Sequence, residues 1–421
     1  SFRTISTGCI YREPPQNIKI EPSEKQSFED WKKTISIIPQ TLGKGLLSSY
    51  QGVSPTLINQ IEYFSNSRKS CLMNKSIETI EENDLKKIFE IWKLWINKYK
   101  NNKFNFITYE QNFYCVWYPE KENTFQNKDD LADNLFCYYD NFLKLKRIEV
   151  LVNKVDGIIY KQINLEKKNL NQQNKLLSNS ENHETYKLKA DNIFLESNLQ
   201  KSNIIEAEKL YKKSKKLKRA KSLIQERLII YKNRIDRLEE FSEMLDNLSF
   251  LNIDSKRNKI VLLEELKSEI CSEFNIKIKN LKLNKKKSID LTSLPIEVFS
   301  PQKLIIQVGR NMRQNDLISF KLSKKGDLWF HAQECPGSHV VLKSSSKSPN
   351  DTDIQLAADI ASFFSKGKGN NKVPINCVKI KDLQRISNGG TGCVSFKNQE
   401  IIWGNPTRGK EYMKKNTQFK K

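Results

Sequence analysis

From Asp129 to about Ser268 the chain has no proline and almost no glycine. Nothing in that span interrupts a helix. Within it, Ile224, Leu228, Tyr231, Ile235 and Leu238 step by four, three, four and three. That rhythm marks a coiled-coil seam. A partner run, Leu135–Leu177, carries Leu145, Ile148, Val152, Val155, Ile159 and Ile163. The polar, Asn-rich patch between the runs, Ser178–Ser202, reads as the tip. The expectation is an antiparallel two-helix arm, about 60–70 Å long at 1.5 Å per residue.

The flanking regions have other textures. Residues 1–22 read as an extended, Pro-rich arm. From Ser27 to about Trp95 the pattern is helical, with Phe28 through Ile38 ended by Pro39. A turn at Tyr50-Gln-Gly52-Val-Ser54-Pro55 separates helical runs Leu42–Tyr50 and Pro55–Phe64. That is the outline of a helix-hairpin-helix, whose turn can offer backbone N–H groups to a phosphate, and equally of a plain helical hairpin. Residues 103–118 alternate and are aromatic-rich, predicting a β-hairpin. After Pro295, short strands (Lys303–Val308, Asp327–Ala332, His339–Leu342, Ile375–Ile380, Ile401–Trp403) alternate with helical stretches, among them Asp353–Ser365. The predicted class is multidomain α+β: a small helical module, a long coiled-coil arm and a compact C-terminal α/β domain.

Charge narrows the partners. Lys and Arg outnumber Asp and Glu by 72 to 49 over 421 residues, a formal +23. Such a surface calls for a polyanion, nucleic acid first. No apolar stretch is long enough to span a bilayer, and no signal segment or lipidation motif is evident. Residues 301–421 hold 21 Lys and Arg against 9 Asp and Glu, and Lys209–Lys221 has eight basic residues in thirteen positions. The eight cysteines show no metal-knuckle spacing, so buried free thiols are expected and no metal or cofactor is indicated.

The densest polar–aromatic constellation lies in the last domain. Gly309-Arg-Asn-Met-Arg-Gln-Asn-Asp316 is followed by Gly326-Asp-Leu-Trp-Phe-His-Ala332 and Cys335-Pro-Gly-Ser-His339. Arg310 and Arg313 can fork onto phosphates. Trp329 or Phe330 offers a stacking face, depending on which side of the strand points out. Asn311, Gln314, Asn315 and Ser338 can read base edges or phosphates. A metal or hydrolytic reading of Asp327, His331 and His339 needs three convergent ligands or a nucleophile with its base. A structural reading has the histidines pinning the turn and Trp329 in the core.

The run GRNMRQNDLISFKLSKKGDLWFHAQECPGSHVVLK resembles the signature of the RNA-binding domain of the RqcH/NEMF, or NFACT, family of ribosome-associated quality-control factors. The order of the remaining segments agrees. Ile10-Tyr-Arg-Glu-Pro-Pro15 looks like the end of that family's N-terminal lobe, Leu46–Pro55 like its helix-hairpin-helix, and Leu210–Ala220 like the basic stretch of its coiled coil. Met312 departs from the Asn usual at its position. The flavour is that of cyanobacterial or plastid members. The implied domains are 1–22, tail of the N-terminal lobe; 23–102, helix-hairpin-helix-like module; 103–128, a hairpin returning to that lobe; 129–268, coiled coil; and 269–421, RNA-binding domain. No segment matching the start of the lobe precedes Ser1, so a fragment is one expectation, with Phe113, Tyr114 and Trp117 left exposed.

The resemblance implies an adaptor without a catalytic centre of its own. It would bind a large ribosomal subunit holding an obstructed peptidyl-tRNA, reach toward the stalk base, and support tRNA-dependent C-terminal tailing of the stalled chain. The candidate RNA-contacting set is Arg310, Asn311, Arg313, Gln314, Asn315, Asp327, Trp329, His331, Ser338 and His339 in the last domain, with Lys212, Lys213, Lys215 and Lys216 on the arm and Gly52 and Ser54 in the helical turn. Expected partners are ribosomal RNA and tRNA, with no membrane, in a plastid-type organelle or the cytoplasm. A coiled-coil scaffold, an exported adhesin and a nuclease are the other classes considered.

Overall fold

The computed structural model describes residues 8, 10, 19–65, 71–102, 104, 106–109, 113–117, 131–195, 201–250, 255–276, 293–386 and 389–417. It divides into two compact units, Ser1–Phe142 and Leu143–Lys421.

The first unit is built on α1 (Phe28–Ser36), α2 (Leu42–Ser49), α3 (Pro55–Phe64) and α4 (Glu82–Lys100). Ser27 caps α1 by accepting the Asp30 N–H at 3.1 Å, and Ser54 caps α3 by accepting the Leu57 N–H at 3.2 Å, with Pro55 in the first turn. Each satisfies an N–H that the helix leaves open. Gly52 has φ +75 with open space where a Cβ would sit, so its backbone conformation is the reason for glycine. Trp31, Leu46, Tyr50, Ile61 and Trp92 are fully buried between the helices. Of the expected N-terminal arm, residues 1–7, 9 and 11–18 lie outside the described residues, while Ile20 bridges to Tyr50.

The expected β-hairpin is present as β1 (Ile107–Tyr109) and β2 (Phe113–Cys115), antiparallel, with Thr108 opposite Tyr114. Its aromatics are not left exposed. Trp117 is 3% exposed and donates its indole N–H to Gln60 Oε1 at 2.7 Å, and Phe113 packs on Tyr63. The hairpin packs against α3 through these aromatics.

The arm, which from Leu143 belongs to the second unit, consists of α5 (Leu131–Glu181), α6 (His183–Leu195) and α7 (Lys201–Phe250). The seam is as expected, with Val155, Ile159 and Leu238 at 2% exposure or less. Glu166 is buried in it, held by Arg234 at 3.0 Å and Gln162 at 3.0 Å. Most of the expected tip is itself helical. Ser178–Leu195 is helical apart from a break at Asn182, and α6 packs along α7 through Ala190 and Ala207. Ser214 Oγ donates to the His183 carbonyl at 2.8 Å. Polar Asn-rich sequence is compatible with a solvated helix once one narrow face carries alanine, and residues 196–200, within the expected tip, lie outside the described residues. A separate helix, α8 (Lys256–Glu273), packs at the arm's base.

The last domain is an antiparallel six-stranded sheet of β3 (Ile296–Phe299), β4 (Ile305–Val308), β5 (Leu328–Ala332), β6 (Val340–Leu342), β7 (Val373–Lys379) and β10 (Glu400–Gly404), in the order β10-β7-β5-β6-β4-β3. Short α9 (Met312–Asp316) follows β4. Helices α10 (Asp351–Phe363) and α11 (Pro406–Thr417) cover one face, over Phe330, Leu342 and Cys377. The hairpin β8 (Leu383–Arg385) and β9 (Val394–Phe396) covers the other, over Trp329, Val341 and Val378. All five strands read from the sequence are present. The thiols are less buried than expected: among the described cysteines, Cys115 and Cys377 are buried, and Cys71 and Cys137 are exposed.

Glu269 of α8 is 7% exposed and accepts the N–H groups of Met312 at 3.1 Å and Arg313 at 3.3 Å. Burial pushes its carboxyl up from 4.5 to about 7, against the pull of those two N–H groups. A raised folded-state value means that the native state holds a proton the unfolded chain has lost. The associated stability is therefore complete below about 4.5 and vanishes as pH rises through 7. That span corresponds to at most ~3 kcal/mol. Glu269→Gln, which cannot ionise, should narrow the melting-temperature gap to the parent as pH falls below 7 or widen it in the parent's favour, and the parent should lose ground steadily from pH 5 to 8. A difference in melting temperature that is flat over that range would show that Glu269 does not titrate there.

Candidate RNA-binding surface

The signature segment folds into a buried polar knot. Asn311 caps α9, accepting the Gln314 N–H on Oδ1 at 2.8 Å, and donates through Nδ2 to Glu265 at 2.9 Å. Gln314 accepts the Arg310 N–H at 3.0 Å and donates to Ser293 Oγ at 2.7 Å. Asn315 Oδ1 accepts the His339 N–H at 3.2 Å, and a Cβ on Gly309 would run into that same oxygen. Arg310 is 9% exposed and reaches the Leu294 carbonyl. Asn311, Gln314 and Asn315 are 3% exposed or less. Each buried polar atom that finds a partner avoids a desolvation cost of roughly 1–3 kcal/mol. The knot therefore specifies the chain path from β4 into α9.

Four further candidates are also interior. Trp329 and Phe330 are both fully buried, so neither face of β5 points out. Sequence alternation showed two apolar sides, but the hairpin that covers the second side comes from residues 383–396, sixty positions later. Asp327 accepts from Lys324 N at 2.9 Å, Ser345 N at 3.0 Å and Lys343 Nζ at 3.3 Å, so it holds a turn. Ser338 is buried, with its N–H on the Phe364 carbonyl at 2.9 Å. These positions lie off the domain's outer surface, Trp329 bordering only the inside of a cavity, so none is placed to stack on an RNA strand lying across the domain.

The two histidines do come together, with ring centroids 5.4 Å apart. His331 stacks on Trp329 at 5.6 Å, and His339 meets it edge-on at 5.0 Å. Burial holds both imidazoles below their ordinary value, His339 well below and with further help from His331. Both are neutral at pH 7. Asp327 does not join them, and among the described residues no group of three or more His, Cys, Asp or Glu is placed to hold a metal.

What remains outside is cationic. Arg313 keeps 59% of its side chain exposed beside Glu269. Lys212, Lys213, Lys215 and Lys216 are all exposed on α7, flanking buried Ser214. Lys213 lies 4.1 Å from the Tyr186 ring centroid, and Lys212 makes an exposed pair with Glu208 at 3.8 Å. Arg237, which donates to Glu273 of α8 at 2.7 Å near the knot, lies 24 residues along α7 from Lys213, about 36 Å at 1.5 Å per residue, so the stripe and the knot are separate features. Gly52 and Ser54 lie on an exposed turn, in the other unit. Met312, the unusual residue of the signature, is 1% exposed and packs into the apolar base of the arm. Sequence reasoning missed Glu265 and Glu269. Their i,i+4 spacing on an otherwise apolar helix face was the available signal.

A cationic helical arm joined to a compact α/β domain has the electrostatics of a polyanion-binding protein, and comparison makes this specific. Residues 1–203 match the NFACT N-terminal and middle domains, and residues 296–398 match the NFACT protein RNA binding domain. The chain belongs to the NFACT family of ribosome quality-control factors. It is similar to the Rqc2 homolog RqcH of Streptococcus suis, 25% identical over 448 residues, covering 97% of this chain and 72% of the relative. The Rqc2 homolog RqcH of Bacillus subtilis is 24% identical over 441 residues, covering 96% and 72%. Among solved structures, the C-terminal part of the fibronectin/fibrinogen-binding protein from Streptococcus suis matches with a TM-score of 0.52 and 27% identity, over 64% of this chain and 99% of that one. Among the described residues no helix is long and apolar enough to cross a membrane.

Two arginines three positions apart should behave oppositely. Arg310→Ala removes a buried hydrogen-bonded cation and should cost about 2–3 kcal/mol of stability, read as a lowered melting temperature with RNA affinity kept in the folded fraction. Arg313→Ala should lower melting much less than Arg310→Ala, through its partly exposed contact with Glu269, and weaken RNA binding by about 1 kcal/mol. Equal affinity losses from the two, well below their melting points, would return Arg310 to the contact surface. Charge reversal at Lys212, Lys213, Lys215 and Lys216 should flatten the slope of log K against log salt by up to about 3, because each phosphate contact contributes roughly 0.7–0.9. An unchanged slope would make the stripe a solvated helix face.

Proposed function

We propose that this protein is a non-enzymatic RNA-binding adaptor of ribosome quality control. It engages a large ribosomal subunit that holds an obstructed peptidyl-tRNA and supports tRNA-dependent C-terminal tailing of the stalled chain. The reading is carried by one observation: the domain matched as RNA-binding is fastened through Glu265 and Glu269 to the base of an arm whose exposed face carries Lys212, Lys213, Lys215 and Lys216. A long helical arm gives reach, and its lysines give a sequence-blind, salt-dependent hold on phosphates. The bond-forming step is assigned to the ribosome's own peptidyl-transferase centre, so the chain's task is placement of bound partners. The expected site of action is a plastid-type organelle or the cytoplasm.

The test is co-sedimentation of the 421-residue chain with purified large subunits, with and without a retained peptidyl-tRNA. Co-migration should depend on the peptidyl-tRNA and fall with the four-lysine reversal. Migration free of the subunit under low-salt conditions, by chain that is folded and binds free RNA, would leave a general RNA-binding scaffold as the better reading.

A further inference from the structure

A cavity of about 700 Å³ opens between α7 and the sheet face covered by the β8–β9 hairpin. Trp329, His331, His339 and Phe396 form its aromatic wall. Asp236, Glu239 and Glu240 of α7, Glu334 of the β5–β6 turn and Lys366 also line it. Four carboxylates against one ammonium is the reverse of the chain's +23 balance. Glu239 is matched by Lys366 at 2.6 Å and Glu240 by Arg237 at 2.7 Å. Asp236 and Glu334 are exposed and have no ion-pair partner among the described residues. The rim thus carries two uncompensated negative charges. The wall supplies an unused donor: Trp329 is fully buried and its indole N–H has no acceptor.

We propose that this cavity receives an arginine or lysine side chain from a basic polypeptide segment. The cation faces Asp236 and Glu334 and lies against the aromatic wall, and a carbonyl of the same segment takes the free donor. Each half of the argument selects among ligands. Two unpaired carboxylates favour a cation and repel a phosphate backbone. An aromatic wall adds attraction for a guanidinium or ammonium group of roughly 0.5–2 kcal/mol. The orphaned indole N–H asks for an acceptor, which a peptide has and a simple polyamine lacks. The neutral imidazoles add no opposing charge at pH 7. The chain's overall positive charge repels cations elsewhere on the surface, so binding of a basic peptide has to be local. This site is independent of the RNA-binding reading.

The experiment measures fluorescence anisotropy on the full 421-residue chain with a labelled, end-blocked peptide carrying two arginines in a Gly/Ser background. The same peptide with citrulline in place of arginine is the neutral control, and spermidine and a uridine pentanucleotide are competitors. The arginine peptide should bind at least tenfold more tightly than the citrulline one. Asp236→Asn combined with Glu334→Gln should remove that preference with no change in melting temperature. Val394→Trp, which narrows the cavity and keeps every carboxylate, should weaken the peptide at least tenfold. Spermidine and the oligonucleotide should displace it only at tenfold or greater excess. Equal binding of the citrulline peptide, retention of binding by the double variant, or displacement by spermidine or the oligonucleotide at equal concentration would each overturn the proposal.

Discussion

Two carboxylates one helical turn apart, Glu265 and Glu269 of α8, set the geometry of the whole second unit. Glu269 takes two backbone N–H groups from the start of α9, and Glu265 takes the Asn311 amide and the Ser293 N–H, the latter at 3.1 Å. Carboxylates at the open N–H groups of a helix start are favourable both as hydrogen-bond acceptors and as charges against the dipole. Taking them out of water is expensive, and burial accordingly pushes the Glu269 carboxyl up from its ordinary value. The arrangement is retained because breaking it from either side leaves a buried donor or charge unpaired. A second fastening lies nearby. Arg237 of α7 forks onto Glu273 of α8 at 2.7 and 3.2 Å, and also reaches the Thr391 carbonyl in the loop that leads into β9. Arm, α8 and sheet domain are thereby tied at one point.

That joint explains which parts of the molecule could be read from sequence. The heptad seam and the strands were legible because burial there follows apolar periodicity, at 3.5 and at 2. The turn at Gly52 was legible because only a few residue types suit a positive φ followed by a capped helix. The signature residues were legible as a group and misread individually. Arg310, Asn311, Gln314 and Asn315 look like contact groups because polar side chains usually face water. Here each is interior, since partners sixteen to fifty residues away satisfy it. Pairings at that separation leave no periodic trace. Trp329 was open to two readings for the same reason, its cover being supplied by residues 383–396.

The region of the arm tip shows the complementary limit of a sequence reading. The patch Ser178–Ser202, expected as the arm's polar tip, is rich in Asn, yet its Ser178–Leu195 part is helical apart from a break at Asn182. Helix propensity there is modest, and the packing that sustains it is narrow, consisting of Ala190 against Ala207, Tyr211 on Asp191 and Ser214 on the His183 carbonyl. Small residues allow α6 and α7 to approach closely, and two polar cross-links then fix their register. None of these signals is strong enough alone to outweigh a polar composition.

Charge is distributed by the same logic of accessibility. The arm's lysines are solvated, separated by short stems from a helix that has its own apolar seam, and carry no geometric demand. They suit a polyanion approached in many registers. The arginines are treated as individuals. Arg310 is consumed by the knot, Arg237 by the joint, and Arg313 alone of the three keeps most of its side chain in solvent while leaning on Glu269. Because Arg313 shares Glu269 with the N–H groups of α9, an anion that draws Arg313 outward withdraws a stabilising cation from a buried carboxylate. The exposed contact residue and the internal joint are therefore energetically linked. Ligand binding at Arg313 would raise the proton affinity of Glu269 further, and protonation of Glu269 would in turn free Arg313 for the ligand.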